Sequence, residues 1–276
     1  MILFEDKDII VCHKPAGIPV QSARLGQKDM VSILNNHLAE QSQKMTDFVH
    51  VVHRLDQPVE GVIVFAKNQK AAANLTKQMQ QDNVKKVYQA VCCAVDKSTE
   101  SEKSGENCGK LFGNQKNSGK SVQANTGEGA EENCDALKSE KIQDKKRKNQ
   151  KNHLEDFLVK DGRTNTSRIA RKGEKDAKLA VLDYEVLAEK DNYKLVQVYL
   201  KTGRHHQIRV QMAHAGLPLY GDQKYNERWE EFAVPEAIKT GLALCAVSYS
   251  FKHPTTGKQM KFEVKPGNPV FEIVRK

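Results

Sequence analysis

His53-Arg54-Leu55-Asp56-Gln57-Pro58-Val59-Glu60-Gly61 runs straight into Val62-Ile63-Val64-Phe65-Ala66. Extended backbone alternates its side chains, so Arg54 and Asp56 share one face while Leu55 points the other way and anchors the segment in a core. Gln57-Pro58 breaks the extension, and Gly61 permits a backbone turn that other residues avoid. The apolar run that follows reads as a buried strand. A carboxylate is thereby mounted at a rigid turn feeding a core strand, with a guanidinium beside it. The plain alternative is a surface Arg-x-Asp pair, which is common and weak.

Working outward, residues 8–13 read as a strand ending at Lys14-Pro15-Ala16-Gly17. Ile33, Leu34 and Leu38 mark a helix over 30–42. After a strand at 62–67, Asn68 caps a helix to about 81, in which Ala72, Leu75 and Met79 share one face. In a strand over 84–95, Val87, Val91, Cys93 and Val95 face one way and Tyr88 and Ala90 the other. Ala180, Leu182, Tyr184, Val186 and Ala188 alternate up to the turn Glu189-Lys190-Asp191-Asn192, and Val196, Val198 and Leu200 return. Two more strands, 242–251 and 259–264, flank His253-Pro254-Thr255-Thr256-Gly257. A helix starting near His205 carries the apolar stripe Ile208, Met212 and Ala215, with His205 and Arg209 on its half-buried border. Strands in runs with few helices between them predict an α+β fold with a largely antiparallel mixed sheet.

Of 276 residues, 38% are hydrophobic, and the shortage is local. Residues 96–152 are rich in Lys, Asn, Gly, Glu and Ser, a composition that cannot bury enough surface to offset its ordering entropy. They read as a flexible, low-complexity insertion in a single domain spanning 1–276. Its run Lys145-Lys146-Arg147-Lys148 reads as a solvated tether more than an RNA-gripping arm, because acidic residues such as Glu131 and Glu132 dilute it. The net charge is +9; the insertion's 12 basic and 10 acidic residues leave +7 on the remainder, which suits a polyanionic partner. The six cysteines form no Cys-x-x-Cys pair, and Cys92-Cys93 on a strand would face apart. The start, Met1-Ile2-Leu3-Phe4-Glu5-Asp6, turns acidic too early for a secretory signal, and no apolar run approaches a membrane span. A reduced, cytoplasmic protein is expected.

Four segments in order carry a family resemblance. Asp8-Ile9-Ile10-Val11 leading to Lys14-Pro15-Ala16-Gly17, then His53-Arg54-Leu55-Asp56 with Gly61, then Thr202-Gly203-Arg204-His205-His206-Gln207-Ile208-Arg209, then Gly216-Leu217-Pro218-Leu219-Tyr220-Gly221-Asp222 with Tyr225, together resemble the RluA-type RNA pseudouridine synthases. The resemblance implies that family's fold, with flanking helices and a central cleft, and a chain that begins at the catalytic core without an N-terminal RNA-binding domain. It implies isomerisation of uridine in ribosomal or transfer RNA, with no cofactor, no metal and no membrane, by a monomer. By the same resemblance Asp56 is the essential carboxylate, as nucleophile or as base, and both roles need it ionised. Arg209 is its counter-charge, Tyr88 faces the uracil, and Arg54 fills the gap left by the flipped base. His53, Lys14, Arg204, His205 and Lys224 are expected RNA contacts.

Two positions depart from the family pattern. Val59-Glu60 stands where Thr-Ser is frequent, leaving Glu60 to point outward or to hold Arg54, and Gln211 replaces a frequent His. Competing classes are a non-catalytic RNA-binding protein that keeps the fold and a metal hydrolase using His205, His206 and His214. The latter lacks ligand spacing.

Overall fold

The structure, a computed structural model, describes residues 1–24, 26–41, 48–94, 151–228, 230 and 241–276. These belong to one compact unit. The insertion expected over 96–152 lies outside the described residues as far as 150, and its far boundary needs correcting, because Asn152 already opens a strand.

The strands are β1 (Ile2–Glu5), β2 (Ile9–Lys14), β3 (His50–Val51), β4 (Glu60–Ala66), β5 (Lys85–Cys93), β6 (Asn152–Asp161), β7 (Thr166–Ala170), β8 (Lys178–Lys190), β9 (Tyr193–Leu200), β10 (Leu244–Lys252) and β11 (Gln259–Glu263). The helices are α1 (Met30–Gln41), α2 (Gln69–Gln80), α3 (Gln207–His214) and α4 (Val270–Arg275). One sheet runs in the order β1-β2-β4-β10-β5-β9-β8-β6-β7, with β11 on β10 and β3 on β4. The pairing of β10 with β4 is parallel and the other ladders are antiparallel. The fold is α+β with a largely antiparallel mixed sheet.

Alternation explains why the central strands look continuously apolar. In β2, Ile10 and Cys12 join one core while Ile9 and Val11 join another; in β4, Ile63 and Phe65 separate likewise from Val62, Val64 and Ala66. In β5, Tyr88, Ala90 and Cys92 face the larger core, and Val91 and Cys93 the opposite one, with Val87 packed against it. Val95 lies outside the described residues. Asn68 caps α2 by accepting from the Ala71 N–H. The β8–β9 hairpin turns at Asp191, whose φ is 51°, and a bulge between Val186 and Ala188 moves Ala188 to the opposite core.

The hairpin β6–β7 does not follow from the sequence pattern. It forms the end of the sheet, with β7 at the edge, and in β6 polar residues such as His153, Glu155 and Lys160 dilute the alternation. Helix α3 also differs from expectation. It begins at Gln207, and Gln207 through Met212 are all buried, so Arg209 sits inside the protein and not on a border. Gln211 is fully buried and donates to Asp156 Oδ2 at 2.8 Å and to the Ala180 carbonyl at 3.2 Å, tying α3 to β6 and β8.

Two features set the turn that precedes β4. Gly61 lies within β4 at φ +130°, opposite Ala246 of β10. A Cβ there would come within 2.4 Å of the Ala246 carbonyl oxygen. Lys14 is buried to 0% exposure, and its ammonium donates to the carbonyls of Pro15 (2.9 Å), Ile18 (2.7 Å) and Gln57 (3.1 Å). Gly17 N–H donates to the same Gln57 carbonyl, and Gln57 Nε2 donates back to the Gly17 carbonyl. Burial pulls Lys14 down to about 8, against the opposing pull of Asp56 and Glu60. Lys14 therefore staples two loops and has no donor left for an RNA phosphate, which corrects its expected role.

Gly61→Ala is expected to destabilise the fold by roughly 3 kcal/mol, through strain and overpacking against β10; urea unfolding measures it. Lys14→Met takes its donor from the Pro15 and Ile18 carbonyls, and from that of Gln57, which keeps the Gly17 N–H, and is expected to cost about 2 kcal/mol or more, read as a lower Tm in thermal melting.

Candidate active site

The turn before β4 opens into a cleft of about 970 Å³. Asp56, Tyr88, His206 and Arg209 line it together. Asp56 sits at the start of a turn closed by the Val59 N–H on the Asp56 carbonyl at 3.0 Å, and Leu55 is buried behind it. The Asp56 side chain retains 28% exposure, all that the cleft leaves open.

Arg209 reaches the cleft from the first turn of α3. Its Nε and Nη2 each lie 2.7 Å from an oxygen of Asp222, a bidentate pair with a fully buried carboxylate. Its third nitrogen, Nη1, lies 3.5 Å from Asp56 Oδ2. The expected pairing of Arg209 with Asp56 is thus real but secondary, because the short bidentate geometry goes to Asp222. Asp222 Oδ1 also accepts from the backbone N–H groups of Lys224 and Tyr225. The Tyr225 ring lies under the guanidinium at 5.0 Å. Burial raises the Asp56 carboxyl above its ordinary value; Arg209 and Lys14 oppose this, and the charge of Asp222 adds to it.

Tyr88 is 8% exposed on β5, with its neighbours set by Val198 of β9. Burial, together with the Asp56 charge, pushes its phenol far up, so it is protonated at neutral pH. Arg54 is exposed on the cleft wall, held by Gln21 Oε1 at 3.0 Å.

The expected RNA contacts divide. His53 lines the cleft, but its ring stacks on Tyr249 at 4.6 Å and its Nε2 accepts from the Val64 N–H. Burial, with Lys86 nearby, pulls it to about 3, so the ring is neutral and brings no charge to a phosphate. Arg204 lines the cleft with Nε on the Leu179 carbonyl. His205 also lines it, between Ser167 Oγ and Asn165 Oδ1, and burial pulls it to about 4. Lys224 donates to the Asn165 carbonyl outside the cleft lining. His205 and His206 stack at 3.8 Å while His214 pairs with Asp156, so the three histidines do not converge.

The sequence assigns no role to Asp222, whose pairing with Arg209 spans a loop, and offers His206, beside Asp56 at 3.6 Å, only as a metal ligand. It also passed over Lys86, Lys160 and Lys201, which add positive charge to the cleft wall. Glu60 turns away from Arg54: it accepts from the Gly267 and Asn268 N–H groups and faces His13 at 3.7 Å.

Comparison with known proteins points to one family. The family model described as RNA pseudouridylate synthase matches residues 8–214. An uncharacterised RNA pseudouridine synthase of Aquifex aeolicus is 28% identical over 272 residues, covering 96% of this chain and 68% of that protein. The ribosomal large subunit pseudouridine synthase D of Pseudomonas aeruginosa is 28% identical over 282 residues, covering 95% of this chain and 67% of the relative. Among solved structures, human RNA pseudouridylate synthase domain containing 4 shares the fold, with a TM-score of 0.64 at 19% identity over 99% of this chain and 92% of that one. A cleft built around Asp56 and Arg209, on this sheet and with these relatives, has one reading: the chain belongs to the RNA pseudouridylate synthase family, as a synthase of the RluA type.

Proposed function

We propose that this isomerase converts specific uridines of structured RNA to pseudouridine, with Asp56 as the essential carboxylate. The observation that carries the reading is a carboxylate on the wall of a cleft, with the Arg209–Asp222 pair behind it. The N1–C1′ bond of the nucleoside breaks, the uracil turns within the pocket, and a C5–C1′ bond forms while C5 gives up its proton. An ionised Asp56 serves either by bonding to the sugar or by removing a ribose proton. Those bond changes call for neither a redox cofactor nor a metal.

Tyr88, a buried phenol in the lining, gives the uracil a flat partner. The extruded base leaves a gap in the RNA stack that a planar cation can occupy. Arg54 is on the wall and held by one side-chain hydrogen bond, so it is free to take that place. Arg204, Lys86, Lys160 and Lys201 supply the charge that phosphates need. A relative named as a ribosomal large subunit synthase favours ribosomal RNA over transfer RNA as the target. We propose a monomer acting in the cytoplasm; the buried thiols of Cys12, Cys92, Cys93 and Cys245 suit a reducing compartment. No helix among the described residues is long and apolar enough to cross a membrane. We also propose that the whole chain is one catalytic domain and that the stretch before β6 is an insertion, since the described ladders form without it.

Asp56→Asn separates chemistry from stability. Because the folded state raises the Asp56 pKa, its charge costs stability above that pKa, and the cost vanishes as pH falls through it. The variant is therefore expected to release no tritium from RNA carrying 5-tritiated uridine, while its Tm at neutral pH is no lower than wild type. Excising residues 98–150 is expected to leave cooperative melting and turnover intact, with a Tm change of only a few degrees.

A further inference from the structure

We propose that His206 is a positioning residue whose Nε2–H faces Asp56 Oδ2, in a tautomer locked by Tyr225 and Ser167, so that the other oxygen of Asp56 is the one offered to substrate. This rests on the reading of Asp56 as the carboxylate of the isomerase.

The Tyr225 hydroxyl oxygen accepts the backbone N–H of Ser167 at 2.8 Å. It also lies 2.7 Å from His206 Nδ1. A phenol has one hydrogen to give, and the backbone N–H can only donate. Among the described residues, His206 Nδ1 is the acceptor in reach of that hydrogen. Nδ1 therefore carries a lone pair, and in a neutral ring the proton sits on Nε2. Burial, with Arg209, His205, Lys224 and Lys160 nearby, pulls His206 to about 3, which keeps the ring neutral.

Backbone geometry aims the ring. His206 stands just before α3 in a left-handed conformation, φ 52°, a strained state for a residue with a side chain. That conformation places Nε2 at 3.6 Å from Asp56 Oδ2, the oxygen that Arg209 Nη1 also approaches at 3.5 Å. Both contacts fall on Oδ2. The opposite tautomer would point a lone pair at the carboxylate and repel it. An imidazolium would bring a second full charge beside Arg209. The neutral Nε2–H alone adds a donor without either cost, and such distances shorten when substrate closes a site.

The charged and titratable groups facing this pair are Arg209 on α3, Asp222, Lys224 and Tyr225 after it, Lys160 on β6, Tyr88 on β5, His205, and Lys14. A donor to ionised Asp56 lowers its pKa, so losing that donor shifts the acid limb of kcat to higher pH. Tyr225→Phe removes the lock. It is expected to lower kcat roughly tenfold with little change in the KM for RNA, and to move that limb upward. His206→Gln, which keeps a side-chain N–H, is expected to hold the limb nearer its wild-type place than His206→Ala.

The direct test is two-bond 1H–15N NMR of the histidine rings in the full chain, with His206 assigned by its absence in His206→Gln. A neutral Nε2–H signature, unchanged between pH 5 and 8 and mixed in Tyr225→Phe, supports the proposal. An Nδ1–H signature, or a ring that charges in that range, overturns it, as does an unmoved acid limb in a folded Tyr225→Phe. Absence of tritium release by wild type would defeat the isomerase reading and leave the tautomer result standing.

Discussion

The site depends on a buried ion pair. Asp222, fully enclosed, holds Arg209 through two hydrogen bonds of 2.7 Å and takes two backbone N–H groups as well. A lone carboxylate in such a place would carry an unmatched desolvation cost, and so would a lone guanidinium; together they are nearly neutral. The residual nitrogen of Arg209 is what reaches Asp56. Asp56 thus feels a cation already largely matched, which is why burial outweighs attraction in setting its protonation. A reactive carboxylate is served by that balance, since complete neutralisation would dull its basicity.

Around this pair the chain uses backbone carbonyls as fixtures. Lys14 gathers those of Pro15, Ile18 and Gln57, and so fastens the loop after β2 to the turn that carries Asp56. The β6–β7 hairpin grips the other wall through Ser167, which meets both His205 and Tyr225. The two walls come from segments far apart in sequence, and each is pinned by a polar residue with no freedom to leave. Rigidity at a site of this kind limits the reorganisation needed when charge moves.

Much of this was legible in the amino-acid order. The alternation in β5 placed Tyr88 correctly, Asn68 announced α2, and Leu55 went to the core as expected. Local pattern carries such information because it depends on neighbours a few residues away. The rest depended on contacts across the sheet. Lys14 and His53 read as phosphate ligands because a cationic or titratable residue in a basic chain is usually solvated, and only the fold shows the Lys14 ammonium spent on three carbonyls and the His53 ring stacked and neutral. Arg209 went to the wrong principal partner because Asp222 approaches through a loop whose path no periodicity reveals. The strands β6 and β7 at the end of the sheet escaped notice because their exposure blurs the apolar rhythm.

Strand β10 sits between β4 and β5, wedged against Gly61 and paired in parallel at Ala246. It follows β4 and β5 by more than 150 residues in the chain. Until it emerges, β4 and β5 are open edges of apolar strand, the kind of surface that invites wrong pairing and recruits chaperones. The nascent chain therefore cannot assemble its reaction centre piecemeal. The strands that carry the two walls of the site are joined only through a distant strand, seated in a gap that only a glycine leaves wide enough.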